Sequence, residues 1–235
     1  MRNFYGLFLG ATMVSVIFLA GCPQREMRDS ICAVPPDVIV LFNGTDFSQW
    51  TSENGKPVQW KIIDGSMEVL PGSGSIMTKK EFQDFKLHIE FNLPRLPQRA
   101  KGQDRANSGV YLQRRYEVQI LDSFGLSSKN DDCGAIYKVK PPDKNVCKKP
   151  GRWQTYDIIF HPPRFLGEGD SVTKVENARI TVLHNGVLIH DNVEIPSKTG
   201  LGQPEGPEPA PILLQDHGSK VRFRNIWVIP LDGAS

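Results

Sequence analysis

From Val38 onward, apolar and polar residues alternate with a period of two through most of the chain. The stretch KLHIEFNL, residues 86–93, is the clearest case: Leu87, Ile89, Phe91 and Leu93 face one way, and Lys86, His88, Glu90 and Asn92 the other. The same alternation predicts strands at 38–42, 109–113, 116–121, 154–160, 212–216 and 221–229. Residues 60–70 read as two short strands around Asp64-Gly65, and residues 178–190 as a hairpin around Asn185-Gly186. Three polar or Pro/Gly-rich stretches, 94–107, 161–177 and 196–211, read as loops. No segment holds a helical period, which excludes alternating βαβ folds. The expected fold is therefore all-β: a two-sheet antiparallel sandwich or jelly roll over residues 38–231, with no internal repeat and no boundary that splits it.

The N-terminus departs from this pattern. Arg2 precedes an apolar run from Phe4 to Ala20, closed by Ala20-Gly21-Cys22. A basic start, an apolar stretch and small residues make a secretory signal. Leu19-Ala20-Gly21-Cys22 is similar to a bacterial lipobox, in which Cys22 is lipidated after removal of residues 1–21. An uncleaved membrane anchor is the alternative, since the run approaches the length that spans a bilayer. Either way the body is expected outside the cytoplasm, in the cell envelope, with a polar, Pro-bearing tether over 22–37.

Export changes the reading of the cysteines. In an oxidising compartment Cys133 and Cys147 could form a disulfide, while Cys32 has no evident partner. Composition adds exclusions. A net charge of +2 removes nucleic-acid binding driven by bulk charge. A 39% hydrophobic fraction excludes wholesale disorder, and 21 Gly with 18 Pro suit a turn-rich β protein.

The densest polar cluster is NSGVYLQRRYEVQILD, residues 107–122. It reads as two strands joined near Arg114-Arg115, with Tyr111 and Gln113 on one face of the first. Glu117 and Gln119 share a face of the second, opposite Val118 and Ile120. Such alternation is also what a plain solvated sheet face looks like. A carboxylate, an amide and a phenol on adjacent positions nevertheless suit sugar hydroxyls, and Asp122 could add a second carboxylate. A second cluster, LLQDHGSKVRFR, places His217 near Gln215, Arg222 and Arg224. His217 is a candidate proton shuttle, although Asp-His-Gly is also a good turn. His88 and His190 read as surface positions, His161 as a strand-end residue and His184 as structural. The basic loop 94–107 reads as solvated, and Trp50, Trp60, Trp153 and Trp227 as core, one of them stacking on a sugar being the alternative. No nucleophile elbow, HExxH or P-loop occurs, and Asp143, Asn145 and Asp170 make no EF-hand. No cofactor is expected, and a divalent metal is left open.

Taken together, LFNGTDFSQW (41–50), NSGVYLQRRYEVQILDS (107–123), CGAIY (133–137), PGRWQTYDIIF (150–160), ARITVLHNGVLIHDNVEI (178–195) and LLQDHGSKVRFRNIWVIPL (213–231) resemble the bacterial 3-keto-disaccharide hydrolase family. The resemblance implies a concanavalin-like jelly roll, export, and hydrolysis of glycosides carrying a 3-ketone. The ketone acidifies the neighbouring C–H, so a base removes that proton, the glycosidic oxygen leaves, and water adds to the enone. Mapped onto this chain, Glu117 and His217 are the acid/base candidates, with Asp122 in reserve. Tyr111, Gln119, Gln215, Arg224 and Asn107 would bind hydroxyls or stabilise charge. Arg152 stands where the family pattern suggests an acidic residue. Two other readings stay open: a non-catalytic carbohydrate-binding lipoprotein, and a conventional glycosidase using Glu117 with Asp122. The expected partners are the keto sugar and, through the anchor, a membrane.

Overall fold

The computed structural model describes residues 37–97 and 100–231. The expected leader, Cys22, Cys32 and most of the tether lie outside these residues. In chain order the strands are β1 (Ile39–Phe42), β2 (Trp50–Ser52), β3 (Lys61–Ile63), β4 (Ser66–Glu68), β5 (Ile76–Phe82), β6 (Phe85–Asn92), β7 (Ser108–Leu112) and β8 (Tyr116–Ile120). There follow β9 (Trp153–His161), β10 (Arg164–Leu166), β11 (Thr173–Glu176), β12 (Ala178–His184), β13 (Val187–Ile195), β14 (Ala210–Leu214) and β15 (Arg222–Pro230). Helix is confined to two single 3₁₀ turns among the described residues.

An eight-stranded sheet runs β13-β12-β9-β6-β15-β4-β3, with β1 also paired to β15, and a five-stranded sheet runs β2-β5-β14-β7-β8. All of these pairs are antiparallel, as expected of a sandwich. The strand β6 alternates strictly between buried and half-buried positions. Its inward side chains Leu87, Ile89 and Phe91 join one continuous core with Val110, Leu112, Val118 and Ile120 of the facing sheet. Ring contacts cross the gap: Tyr116 of β8 lies 5.4 Å from Phe160 of β9, centroid to centroid.

The hairpins turn where the sequence places them. Asp64, Gly65, Asn185 and Gly186 all have positive φ, which Asn, Asp and Gly tolerate best. Three differences have simple causes. The strand β5 carries Lys79-Lys80-Glu81 in its exposed half, which hides its period. The stretch 161–177 holds a small ribbon, β10 with β11, whose side chains are mostly exposed or half-buried and so show no alternation. Trp153 and Trp227 are not core residues. They lie on the outer face of the large sheet, Trp153 under the Arg224 guanidinium and Trp227 stacked on His88 at 4.9 Å.

Candidate active site

The five-stranded sheet turns one face to the core and the other outward. Register pairs Tyr111 with Glu117, Gly109 with Gln119, and Leu213 with Tyr111. Because Val110, Val118 and Leu214 point inward, Gly109, Tyr111, Glu117, Gln119 and Leu213 share the outer face. Two irregular segments build walls along the free edge of β8. In one, Tyr137 N–H donates to Glu117 O at 3.1 Å and Gly134 N–H to Gln119 O at 2.9 Å. In the other, Thr199 N–H donates to Arg115 O, and the Thr199 hydroxyl accepts from Glu117 N–H at 2.7 Å. The result is a cleft of about 520 Å³ lined by Gln103, Asn107, Tyr111, Glu117, Gln119, Tyr137, Gly200, Leu201, Gln215 and His217.

Glu117 sits at the bottom of this cleft, only 3% exposed. Its Oε2 accepts the Tyr111 hydroxyl at 2.8 Å, and Gln215 Nε2 donates to the Tyr111 oxygen at 3.3 Å. Burial pushes the Glu117 carboxyl up to about 7, outweighing the Tyr111 hydrogen bond, which lowers it. Burial and the neighbouring carboxylate hold the Tyr111 phenol well above its ordinary range, so it keeps its proton and donates. Space for the carboxylate comes from Gly109, where a Cβ would stand 2.3 Å from Glu117 Oε1. Beside Oε2, Gly200 at φ +42 passes at 3.6 Å measured from an added Cβ, against the Tyr137 ring.

Around the carboxyl lies a net of neutral amides. Asn107 Nδ2 and Gln119 Nε2 each donate to Gln103 Oε1 at 3.0 Å, and Gln119 Oε1 accepts from Ile120 N–H at 3.0 Å. Ala106, with φ +54 and fully buried, sets the angle at which Asn107 enters. Two buried acceptors lining the cleft, Asn107 Oδ1 and Gln215 Oε1, have no partner among the described residues. Buried polar atoms are nearly always bonded, so this pair marks a place for ligand donors.

The other candidates divide. His217 lies exposed on the cleft's rim, because Asp216 bonds Gly74 N–H at 3.0 Å and Gly218 N–H at 2.9 Å and so holds the turn open there. Asp122 does not line the cleft. It lies beyond the end of β8, where Arg105 bonds its carboxylate at 3.1 Å and its carbonyl at 2.6 Å. Arg224 is on the opposite sheet. Its neighbour Phe223 points into the core, so the guanidinium faces outward, bonding Glu90 at 2.7 Å and lying 4.0 Å from the Trp153 ring centre. Gln113 leaves the Tyr111 face, since the turn at Gln113-Arg114 directs its amide to Phe82 O at 2.8 Å.

Cys133 and Cys147 are both buried, as thiols in contact with each other. Besides each other, Cys133 meets the Tyr156 hydroxyl at 3.2 Å and Cys147 the Leu121 carbonyl at 3.6 Å. His190, expected at the surface, is fully buried and bonds Gly134 O at 2.8 Å; burial pushes it down to about 4. No cluster of metal-ligating side chains occurs among the described residues. Gln103, Tyr137, Thr199, Gly200 and Leu201 are cleft or wall residues that alternation did not reveal, because all five lie in segments without period.

An outward sheet face with one buried carboxyl among amides and phenols belongs to a carbohydrate-active, glycoside-hydrolase-like β-sandwich. The chain belongs to the family of the 3-keto-alpha-glucoside-1,2-lyase-like domain, which it matches over residues 37–229. Its similarity to solved structures agrees. A candidate glycosyl hydrolase of Parabacteroides distasonis is 38% identical, with 83% of this chain and 84% of that one covered at a TM-score of 0.73. A second from the same organism is 26% identical, covering 83% of this chain and 99% of the other at 0.58. A third, 20% identical with a TM-score of 0.63 over 89% of this chain and 98% of that one, shares the fold. No curated protein matches the chain.

Proposed function

We propose that the protein hydrolyses 3-keto-glycosides by elimination and hydration, with Glu117 as the base. The observation that carries this reading is the single carboxyl. Conventional glycosidases use two carboxyl groups at the scissile bond. Among the described residues lining the cleft, Glu117 is the only acid, Asp122 being turned away to Arg105. A 3-ketone removes the need for the second group, because it makes the adjacent C2–H acidic.

The Glu117 carboxylate takes the C2 proton and an enolate forms on the ketone. The C1–O bond then breaks, its electron pair leaves with the glycosidic oxygen, and that oxygen takes the proton held by Glu117, so the proton added later at C2 comes from water. Water adds to the enone, hydroxyl to C1 and proton to C2, which returns a 3-keto sugar and the second sugar. A carboxyl balanced near pH 7 both accepts and returns a proton at little cost. The amides of Asn107 and Gln119 each have one N–H beyond the one given to Gln103, and these stabilise the enolate. Tyr111 orients the carboxyl, and His217 at the rim exchanges protons with solvent. Asn107 Oδ1 and Gln215 Oε1 accept sugar hydroxyls. The lipobox-like run Leu19-Ala20-Gly21-Cys22 supports export with lipidation at Cys22 and a place in the cell envelope.

Turnover in heavy water tests the chemistry. Elimination and rehydration place one deuterium at C2 of the released 3-keto sugar. Turnover with no deuterium at C2 overturns the mechanism.

A further inference from the structure

The Tyr111–Gln215 pair is a partition with a hollow on each side. On one side is the Glu117 cleft; on the other lies a second hollow of about 410 Å³, lined by Glu53, Ser75, Tyr111, Arg114, Leu201, Gln203, Leu213 and Gln215. We propose that this second hollow is the subsite for the leaving sugar, with Arg114 as the residue that reads it. The inference rests on the proposed role of Glu117 and adds the position and polarity of the bond that is broken.

Three features support it. First, Tyr111, Gln215 and Leu201 are common to both hollows, so a disaccharide occupying both lays its glycosidic oxygen over Tyr111, the residue bonded to Glu117. Second, the hollow holds unanswered hydrogen-bonding capacity of both signs. Arg114 Nε is buried with no partner among the described residues, while Arg114 Nη2 is fixed on Glu53 Oε1 at 3.3 Å. Gln215 Oε1, an unpartnered acceptor, stands on the partition. A sugar hydroxyl accepts from the one and donates to the other. Third, Leu201 is 87% exposed above both hollows, which leaves its side chain for the apolar face of a sugar ring. The segment bearing it is tied down by Gln203 N–H to Arg114 O at 2.8 Å and Gly202 N–H to Thr199 O at 2.7 Å.

The trough on the far side of the cleft is a poorer choice. It is about 940 Å³, and its charged or titratable groups, Asp104 and His217, are exposed. Exposed groups gain little from a ligand hydroxyl because water already serves them.

The test compares 3-keto-trehalose with the 3-keto derivative of methyl glucoside, whose aglycone is too small to reach Arg114. For Arg114→Met and Arg114→Lys, the kcat/KM ratio of disaccharide to methyl glycoside should fall about tenfold or more, as for the loss of a charged hydrogen bond. An unchanged ratio in both variants overturns the subsite. Binding of 3-keto-trehalose to the Glu117→Gln protein, with and without Arg114→Met, separates the two claims. Arg114-dependent binding in a protein whose wild type turns over neither substrate would sink the role of Glu117 and leave the subsite standing. Binding that ignores Arg114 would sink the subsite alone.

Discussion

Glu117 is held in a site that does not favour its charge. A carboxyl raised from 4.5 to about 7 costs its ionised form on the order of 3 kcal/mol in the fold. Below pH 4.5 the group is protonated both folded and unfolded, so the site is neutral toward stability. Between 4.5 and about 7 the unfolded chain gives up the proton while the fold retains it, and stability falls as pH rises. Glu117→Gln keeps an acceptor for Tyr111 and removes the charge. It should raise the melting temperature at pH 8, leave it unchanged at pH 4, and abolish turnover. A wild-type kcat/KM that rises with pH through about 7 completes the expectation; equal melting temperatures at pH 8 would contradict the burial account. Part of this residue picture is readable from alternation alone: the parity of Glu117 and Gln119, opposite Val118 and Ile120, is what puts them outward. Parity could not say which sheet a strand joins. Arg224 alternates as Gln119 does and ends on the other sheet, and Asp122 lies two residues beyond the strand, where parity stops.

At the scale of elements, the strands supply the floor and two aperiodic segments supply the walls. The wall over 199–208 depends on Arg115, which is 8% exposed. Its guanidinium donates to Pro204 O, Gly206 O and Glu208 O and to Gln113 Oε1. Tyr116 and Lys174 add bonds to Glu205. Arg115→Met leaves three carbonyls and Gln113 Oε1 without this donor and should destabilise the fold by about 4–6 kcal/mol, counting each lost bond to a charged group at the low end. It should also cut turnover, since Gly200 and Leu201 lose their anchor. Chemical denaturation and a turnover assay on the same sample check both, and a variant with wild-type stability contradicts the clamp. Such walls leave little trace in a sequence, because their backbone bonds go to the edge of β8 rather than to a strand of their own. Tyr137, bridged through Ile136 to Val118, illustrates the point: nothing periodic surrounds it, yet it faces the carboxyl.

For the whole molecule, the sandwich follows from the alternation because each sheet must bury one face, and the antiparallel order leaves the other face for function. The outward face of the five-stranded sheet carries Tyr111, Glu117 and Gln119, and the outward face of the large sheet carries the Arg224–Glu90 and His88–Asp157 pairs. The second set consists of side chains bonded to each other, whereas the first is flanked by the unpartnered acceptors Asn107 Oδ1 and Gln215 Oε1 at the rim of a cleft. The central claim is that one buried carboxyl suffices because the substrate brings its own acidity. Incubating the protein with 3-keto-trehalose and with trehalose in parallel, beside the Glu117→Gln protein, measures that claim most directly. The account predicts cleavage of the keto sugar alone and none by the variant. Cleavage of trehalose at a comparable rate, or full turnover by Glu117→Gln, would contradict it.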